Sequence, residues 1–180
     1  KMFYFTTCDS PVGILTLASN GEKLSGLWIK GQKYFGGEFL GEAKKKDDLP
    51  IFLNVREWLK DYFAGKKPQI NRIPLLSLGS EFRLQVWEIL KKIPYGEVIT
   101  YGEIAEMMAE KMGKASMSSQ AVGGAVGHNP ISIIIPCHRV VGTNGSLTGY
   151  AGGLDVKVKL LQLEGVDMTR LHYPDGRKIL

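Results

Sequence analysis

Cys137, His138 and Arg139 stand in a row: a thiol, an imidazole and a guanidinium. A sulfur nucleophile acts as its thiolate, and a free cysteine is only a few per cent thiolate near neutral pH. Neighbouring positive charge or a proton acceptor raises that fraction. The trio follows Ile133-Ile134-Ile135-Pro136, a β-branched apolar run that favours extended, buried backbone and is ended by proline. This reads as a nucleophile on rigid backbone beside its activator. An arbitrary Cys-His pair is more often a buried, inert core cysteine with an incidental histidine. Glycine on both sides shifts the balance: Gly123-Gly124-Ala125-Val126-Gly127-His128-Asn129-Pro130 comes before, and the run from Gly142 to Gly153 comes after. Such density means tight turns and close backbone approach to something.

The elements that must hold this stretch can be read in chain order. Residues 2–7, 12–18 and 23–30 predict three short strands, with turns at Ser10-Pro11-Val12-Gly13 and Asn20-Gly21. Cys8 at a strand end reads as a small structural residue. Residues 31–49, rich in Gly and Lys, read as a solvated surface loop. Phe52, Val55, Leu59 and Phe63 have helical spacing, and Gly65 stops that helix. Residues 69–76 predict a further strand. Ser80 can cap a helix over 81–93, and Thr100 one running to about Lys111. A turn over 111–114 leads to a helix over 116–127, giving a helix-turn-helix. That last helix carries Ala121, Gly123, Gly124 and Ala125. Glycine costs up to about 1 kcal/mol in a helix interior. The small residues therefore serve either tight helix packing or the close approach of a partner. A final helix covers 154–163, Gly165 terminates it, and 166–180 reads as a weakly ordered tail. The fold class is thus an α/β N-terminal domain, a small sheet plus helix over 1–77, followed by a mainly α C-terminal domain over 78–180.

Composition bounds the function classes. The chain has 180 residues, 44% hydrophobic, with a net charge of +5 and a pI of about 9.1, compatible with a polyanionic partner. Two cysteines and three histidines, all scattered, offer no disulfide framework and no zinc ligand set. No apolar run approaches a membrane span and no signal peptide is evident. A working free thiol suits a reducing cytoplasm.

Asn129-Pro130, Pro136-Cys137-His138-Arg139-Val140 and Gly149-Tyr150-Ala151-Gly152-Gly153 together resemble the O6-alkylguanine-DNA alkyltransferase family. The resemblance covers about Gly79 to Gly165, and its cysteine motif is highly diagnostic. It implies a ribonuclease H-like first domain and a winged-helix-like second one. It also implies direct-reversal repair, with irreversible transfer of the alkyl group from O6-alkylguanine, and from O4-alkylthymine, to the Cys137 thiolate. Each molecule reacts once and no cofactor or metal takes part. The partner is double-stranded DNA, bound through its minor groove with the damaged base flipped out, by a monomer. Residue by residue, the resemblance implies a Glu164–His138–water–Cys137 relay. On sequence alone, Glu164 would be a solvated helix end. Tyr101 matches the tyrosine that donates to the leaving guanine, and Asn129 the hinge asparagine. Tyr150 matches the residue packing over the alkyl pocket, with backbone at Val140 and Ala151 reading the base. Gly102, Ala121, Gly124, Thr143 and Gly152 complete the expected DNA and base contacts, and Arg139, like Lys111 and Lys114, either contacts a phosphate or is simply solvated.

One position departs from the family pattern. An arginine often opens the second helix of the helix-turn-helix, filling the gap left by the flipped nucleotide, and this chain has Gln120 there. Gln occupies space and hydrogen-bonds but brings no charge. Two other classes compete with the alkyltransferase reading. A thiol hydrolase using Cys137 and His138 would turn over and would not need the small-residue helix. A DNA-binding regulator would use the helix-turn-helix without chemistry.

Overall fold

Aromatic and β-branched runs separated by turn residues make the first sheet. β1 (Tyr4–Cys8), β2 (Leu15–Ser19) and β3 (Leu24–Ile29) are antiparallel neighbours, with Cys8 opposite Leu15 and Leu15 opposite Ile29. The connecting turns use side-chain bonds: Ser10 Oγ donates to the Gly13 carbonyl, and Asn20 Oδ1 accepts from the amides of Glu22 and Lys23. The computed structural model describes residues 2–37 and 40–179, which divide into two compact units: residues up to Leu78 with Pro130–Ile134, and Gly79–Asn129 with the residues from Ile135 onward.

In the first unit, the Lys-rich stretch is not wholly loop. β4 (Lys44–Lys45) pairs in parallel with Tyr4 and Phe5, giving the order β3-β2-β1-β4. Both lysines remain exposed, so the sheet edge is short and charged, as edges that resist further pairing are. Glu38 and Phe39 of the expected 31–49 loop lie outside the described residues. α1 (Pro50–Phe63) starts on Pro50 and buries Ile51, Phe52, Val55, Trp58, Leu59 and Tyr62 along one face. The strand expected over 69–76 does not form. A tight turn occupies Ile70–Arg72, and pairing shrinks to a single parallel bridge between Leu24 and Leu75. Pro74, lacking an N–H, cannot donate to a ladder there. Pro130–Ile134 joins this unit because the Leu27 amide donates to the Pro130 carbonyl and the Ser132 amide to that of Leu27.

The second unit is mainly helical. α2 (Glu81–Lys91) is capped by Ser80, whose Oγ accepts from the Arg83 amide. α3 (Tyr101–Lys111) carries a full capping box between Thr100 and Glu103. α4 (Ser119–Gly127) begins three residues later than its sequence suggests, because the Ser118 hydroxyl takes the amides of Gln120 and Ala121. Trp87 Nε1 donates to the Ala125 carbonyl at 2.8 Å and pins α2 to α4. A two-stranded parallel sheet joins β5 (Ile99–Thr100) to β6 (Val140–Val141), and α5 (Leu154–Leu163) follows the glycine-rich loop. The expected weakly ordered tail is instead packed: Leu171 and Ile179 are buried with Val141, Leu147, Val158 and Leu161. The isoleucine run before Cys137 is buried as expected but not extended. Ile133 adopts φ +73°, and the Ile134 amide donates to the Ser132 carbonyl, so the chain turns there. A β-branched residue in the left-handed region is a strained conformation that surrounding structure must hold.

Candidate active site

The β5–β6 pairing sets the site's geometry. Ile99 lies opposite Val140 and Thr100 opposite Val141. The first residue of α3, Tyr101, therefore stands beside the short turn Cys137–Arg139 that precedes β6. Asn129, just beyond α4, is 2% exposed, and its Nδ2 donates to the Ile135 carbonyl at 2.8 Å. Its side chain also bonds the Cys137 sulfur, and so links the end of α4 to the cysteine segment. Cys137 is 5% exposed. Burial pushes its thiol up, and the Asn129 hydrogen bond and the Lys157 charge pull it partly back.

Glu164, at the C-cap of α5, is buried rather than solvated. Its Oε2 lies 2.6 Å from His138 Nε2. The same carboxylate accepts from Arg139 Nε at 2.7 Å and from the terminal guanidinium nitrogen at 3.1 Å. Burial alone would raise the Glu164 carboxyl, but the bonds and charges of His138 and Arg139 outweigh it and hold it well below the carboxylate range. Burial pushes His138 down, against the pull of Glu164, which favours a neutral ring. With Nε2 engaged by Glu164, His138 Nδ1 is buried with no hydrogen-bond partner among the described residues. A neutral ring donating from Nε2 leaves Nδ1 as a lone-pair acceptor, the form a proton-accepting base requires.

Arg139 differs from expectation. Rather than facing a phosphate or solvent, it is 7% exposed, forked onto Glu164, donating to the Ile93 carbonyl at 2.6 Å and resting over the Tyr95 ring. A guanidinium engaged in this way is not available to a phosphate. Its place is to fix the Glu164 carboxylate.

Lys157 is the group that sequence reading missed. It is fully buried on α5, where its Nζ donates to the carbonyls of Val140 and Thr148. Desolvation lowers its amine to about 8, and the nearby Cys137 sulfur opposes that shift. A signal was available: Lys157 falls three residues after Leu154 and four before Leu161, on the apolar stripe of α5. The Tyr101 hydroxyl donates to the carbonyls of Thr148 (3.1 Å) and Gly149 (3.2 Å). Burial, and secondarily Cys137, push it up to about 12, so it keeps its proton. Tyr150 meets the His138 ring edge-on at 6.5 Å between centroids. Gly102 and Thr143 are neighbours across the β5–β6 junction. Ala151 and Gly152 are half-buried in the loop, and Val140 is buried with its carbonyl already held by Lys157.

Gln120, Ala121 and Gly124 share an exposed face of α4, whereas Val122, Ala125 and Val126 point inward. A Cβ added at Gly123, Gly124 or Gly127 would meet nothing within 4 Å. Internal packing therefore does not require these glycines, whereas Ala125 on the opposite face is buried against Trp87.

Comparison with known proteins agrees with this architecture. Residues 3–76 match the family model described as 6-O-methylguanine DNA methyltransferase, ribonuclease-like domain. Residues 81–166 match the one described as 6-O-methylguanine DNA methyltransferase, DNA binding domain. A methylated-DNA–protein-cysteine methyltransferase of Haemophilus influenzae is 42% identical over 91% of this chain and 87% of its own length. One from Mycolicibacterium paratuberculosis is 44% identical over 91% of this chain and 93% of its own. Among solved structures, Mycobacterium tuberculosis OGT in complex with DNA is similar with a TM-score of 0.78 and 40% identity, covering 93% of this chain and 94% of that one.

Proposed function

This chain belongs to the 6-O-methylguanine DNA methyltransferase family, and on that footing we propose that it repairs alkylated DNA directly, by moving the alkyl group from guanine O6 to Cys137 Sγ. The observation that carries this reading is the buried Cys137 beside a His138–Glu164 pair at 2.6 Å. His138, oriented by Glu164, accepts the thiol proton through a water at Nδ1. The thiolate attacks the alkyl carbon, the S–C bond forms and the O6–C bond breaks, and the leaving guanine takes a proton from Tyr101, which the proton held on His138 then restores. Asn129 and Lys157 favour the thiolate, one by a hydrogen bond and one by charge. A thioether is a poor leaving group, so each molecule acts once, and no step calls for a cofactor. O4-alkylthymine offers the same chemistry at a smaller ring.

The base must leave the duplex, which costs a few kcal/mol and least for a damaged, poorly paired one. We assign the exposed face of α4 to the minor groove, with Ala121 and Gly124 against the backbone and Gln120 in the vacated position. Gly102, Thr143, Tyr150, Ala151 and Gly152 line the path of the flipped base. Residues 1–77 and 78–180 act as the N-terminal and alkyl-acceptor domains of a monomer working in a reducing cytoplasm. No helix among the described residues is long and apolar enough to cross a membrane. The test is transfer of labelled methyl from an O6-methylguanine duplex to wild type, Cys137→Ser and Cys8→Ser. Label should be lost only in Cys137→Ser, and label retained there would refute the assignment.

A further inference from the structure

Residues 167–179 lie beyond the segment matched by the DNA-binding-domain model, yet they grip the loop that leads from the cysteine segment to Tyr150. The loop starts as a tight turn, with the Gly142 amide donating to the Ser146 carbonyl and the Gly145 amide to that of Gly142. The C-terminal segment then pairs with it. The Leu147 amide donates to the His172 carbonyl at 2.9 Å, and the His172 amide to that of Gly145 at 3.1 Å. His172 bridges Ser146 on one side and Lys178 on the other. Gly145 has φ +87°, and a Cβ there would collide with the Arg170 carbonyl oxygen, so the two backbones are in direct contact. Leu171 and Ile179 bury against Leu147 and α5. The next two residues, Thr148 and Gly149, supply the carbonyls that hold the Tyr101 hydroxyl, and Thr148 also accepts from Lys157.

We infer that Leu171, His172 and Ile179 are specificity-determining positioning residues: by clamping residues 142–149 they fix the width of the alkyl pocket over Cys137 and restrict it to small groups. This rests on the alkyl transfer proposed above. The loop is held on two sides. The C-terminal segment holds its outer part by two backbone bonds and an apolar cluster, and Tyr101 and Lys157 hold its inner part through carbonyls. Releasing the outer hold lets the inner part, and Tyr150 after it, move away from the sulfur. Larger alkyl groups gain most from that movement, because a pocket rejects excess volume by contact with rigid walls.

The experiment compares wild type, Leu171→Ala and Ile179→Ala on two duplexes that differ only in the O6 group, methyl or benzyl. The benzyl-to-methyl ratio of second-order rate constants should rise by about tenfold in the variants. Amides of Leu147 and His172 should lose hydrogen-exchange protection while those of α2, α3 and α4 keep theirs. A loss of folded protein lowers both rates by one factor and leaves the ratio alone. An unchanged ratio, or one that falls, overturns the inference. Should Leu171→Ala not fold, Ile179→Ala, at the outer end of the same cluster, carries the same expectation. Failure of wild type to take methyl on Cys137 would strike the proposed activity and is read separately from the ratio.

Discussion

One carboxylate, Glu164, serves two cationic or protonatable neighbours, His138 and Arg139, in a buried site. Breaking a buried ion pair by removing one partner costs roughly 3–5 kcal/mol, because the other charge is left uncompensated. Glu164→Gln should therefore destabilise the fold and slow methyl transfer together. His138→Ala should slow transfer with little loss of duplex affinity. The rate defect of the double variant should be far smaller than the product of the two single defects, since groups acting as a unit are non-additive. Multiplicative defects in single-turnover kinetics would mean that the two groups act separately. The acid side has a definite sign. Glu164 is held below its ordinary range, so its contribution to stability is complete above about pH 4.3 and is lost as pH falls through the window below it, where the unfolded chain takes up a proton that the folded one refuses. Urea midpoints should thus fall between about pH 5 and 2 more steeply in wild type than in Glu164→Gln; parallel curves would contradict the assignment. At the thiol, removing the Lys157 cation disfavours the thiolate, so the pH limb for Cys137 alkylation by iodoacetamide should move to higher pH in Lys157→Met. A limb that stays in place would remove Lys157 from the account of reactivity. The Cys137–His138 juxtaposition was legible as adjacent letters. The burial of Arg139 was not, because its partners Glu164, Ile93 and Tyr95 come from distant points of the chain.

At the scale of elements, local chemistry was the readable part. Ser80 and Thr100 cap the helices they precede, because a side-chain oxygen can reach the free amides of the first turn whatever the tertiary context. Tertiary decisions were less readable. The 69–76 segment has strand composition but takes one bridge, and the isoleucine run before Pro136 bends at Ile133 to join the first unit through Leu27. The C-terminal segment looks polar and turn-rich, yet Leu171 and Ile179 are buried in the apolar cluster and Met168 and Tyr173 pack against it. α4 offers a prediction in which stability and function move in opposite directions. Gly124→Ala adds a methyl group into open space, so it should stabilise the helix by about 0.5–1 kcal/mol while weakening duplex binding. A gain in both, read from thermal melts and titration of duplex, would mean that α4 does not approach DNA closely. Gln120→Arg should tighten duplex binding and steepen its salt dependence by up to about one unit in the log–log slope. Gln120→Gly should slow repair in duplex much more than reaction with free O6-benzylguanine, which needs no extrusion. An equal fall for both substrates would leave Gln120 a supporting residue only.

Over the whole molecule, every group assigned to the chemistry belongs to the second unit, from Tyr101 and Asn129 to Cys137, His138, Lys157 and Glu164. The first unit supplies the ribonuclease-like sheet and receives the Pro130–Ile134 segment that connects two of those groups in sequence. On the proposed mechanism the protein is itself the alkyl acceptor and is consumed. This is tested most directly by intact-protein mass after incubation with excess O6-methylguanine duplex, followed by peptide mapping. Every molecule should gain one methyl group, on Cys137, with repaired guanine equal to protein at the endpoint. Repaired guanine in excess of protein, or methyl found on Cys8, would contradict it.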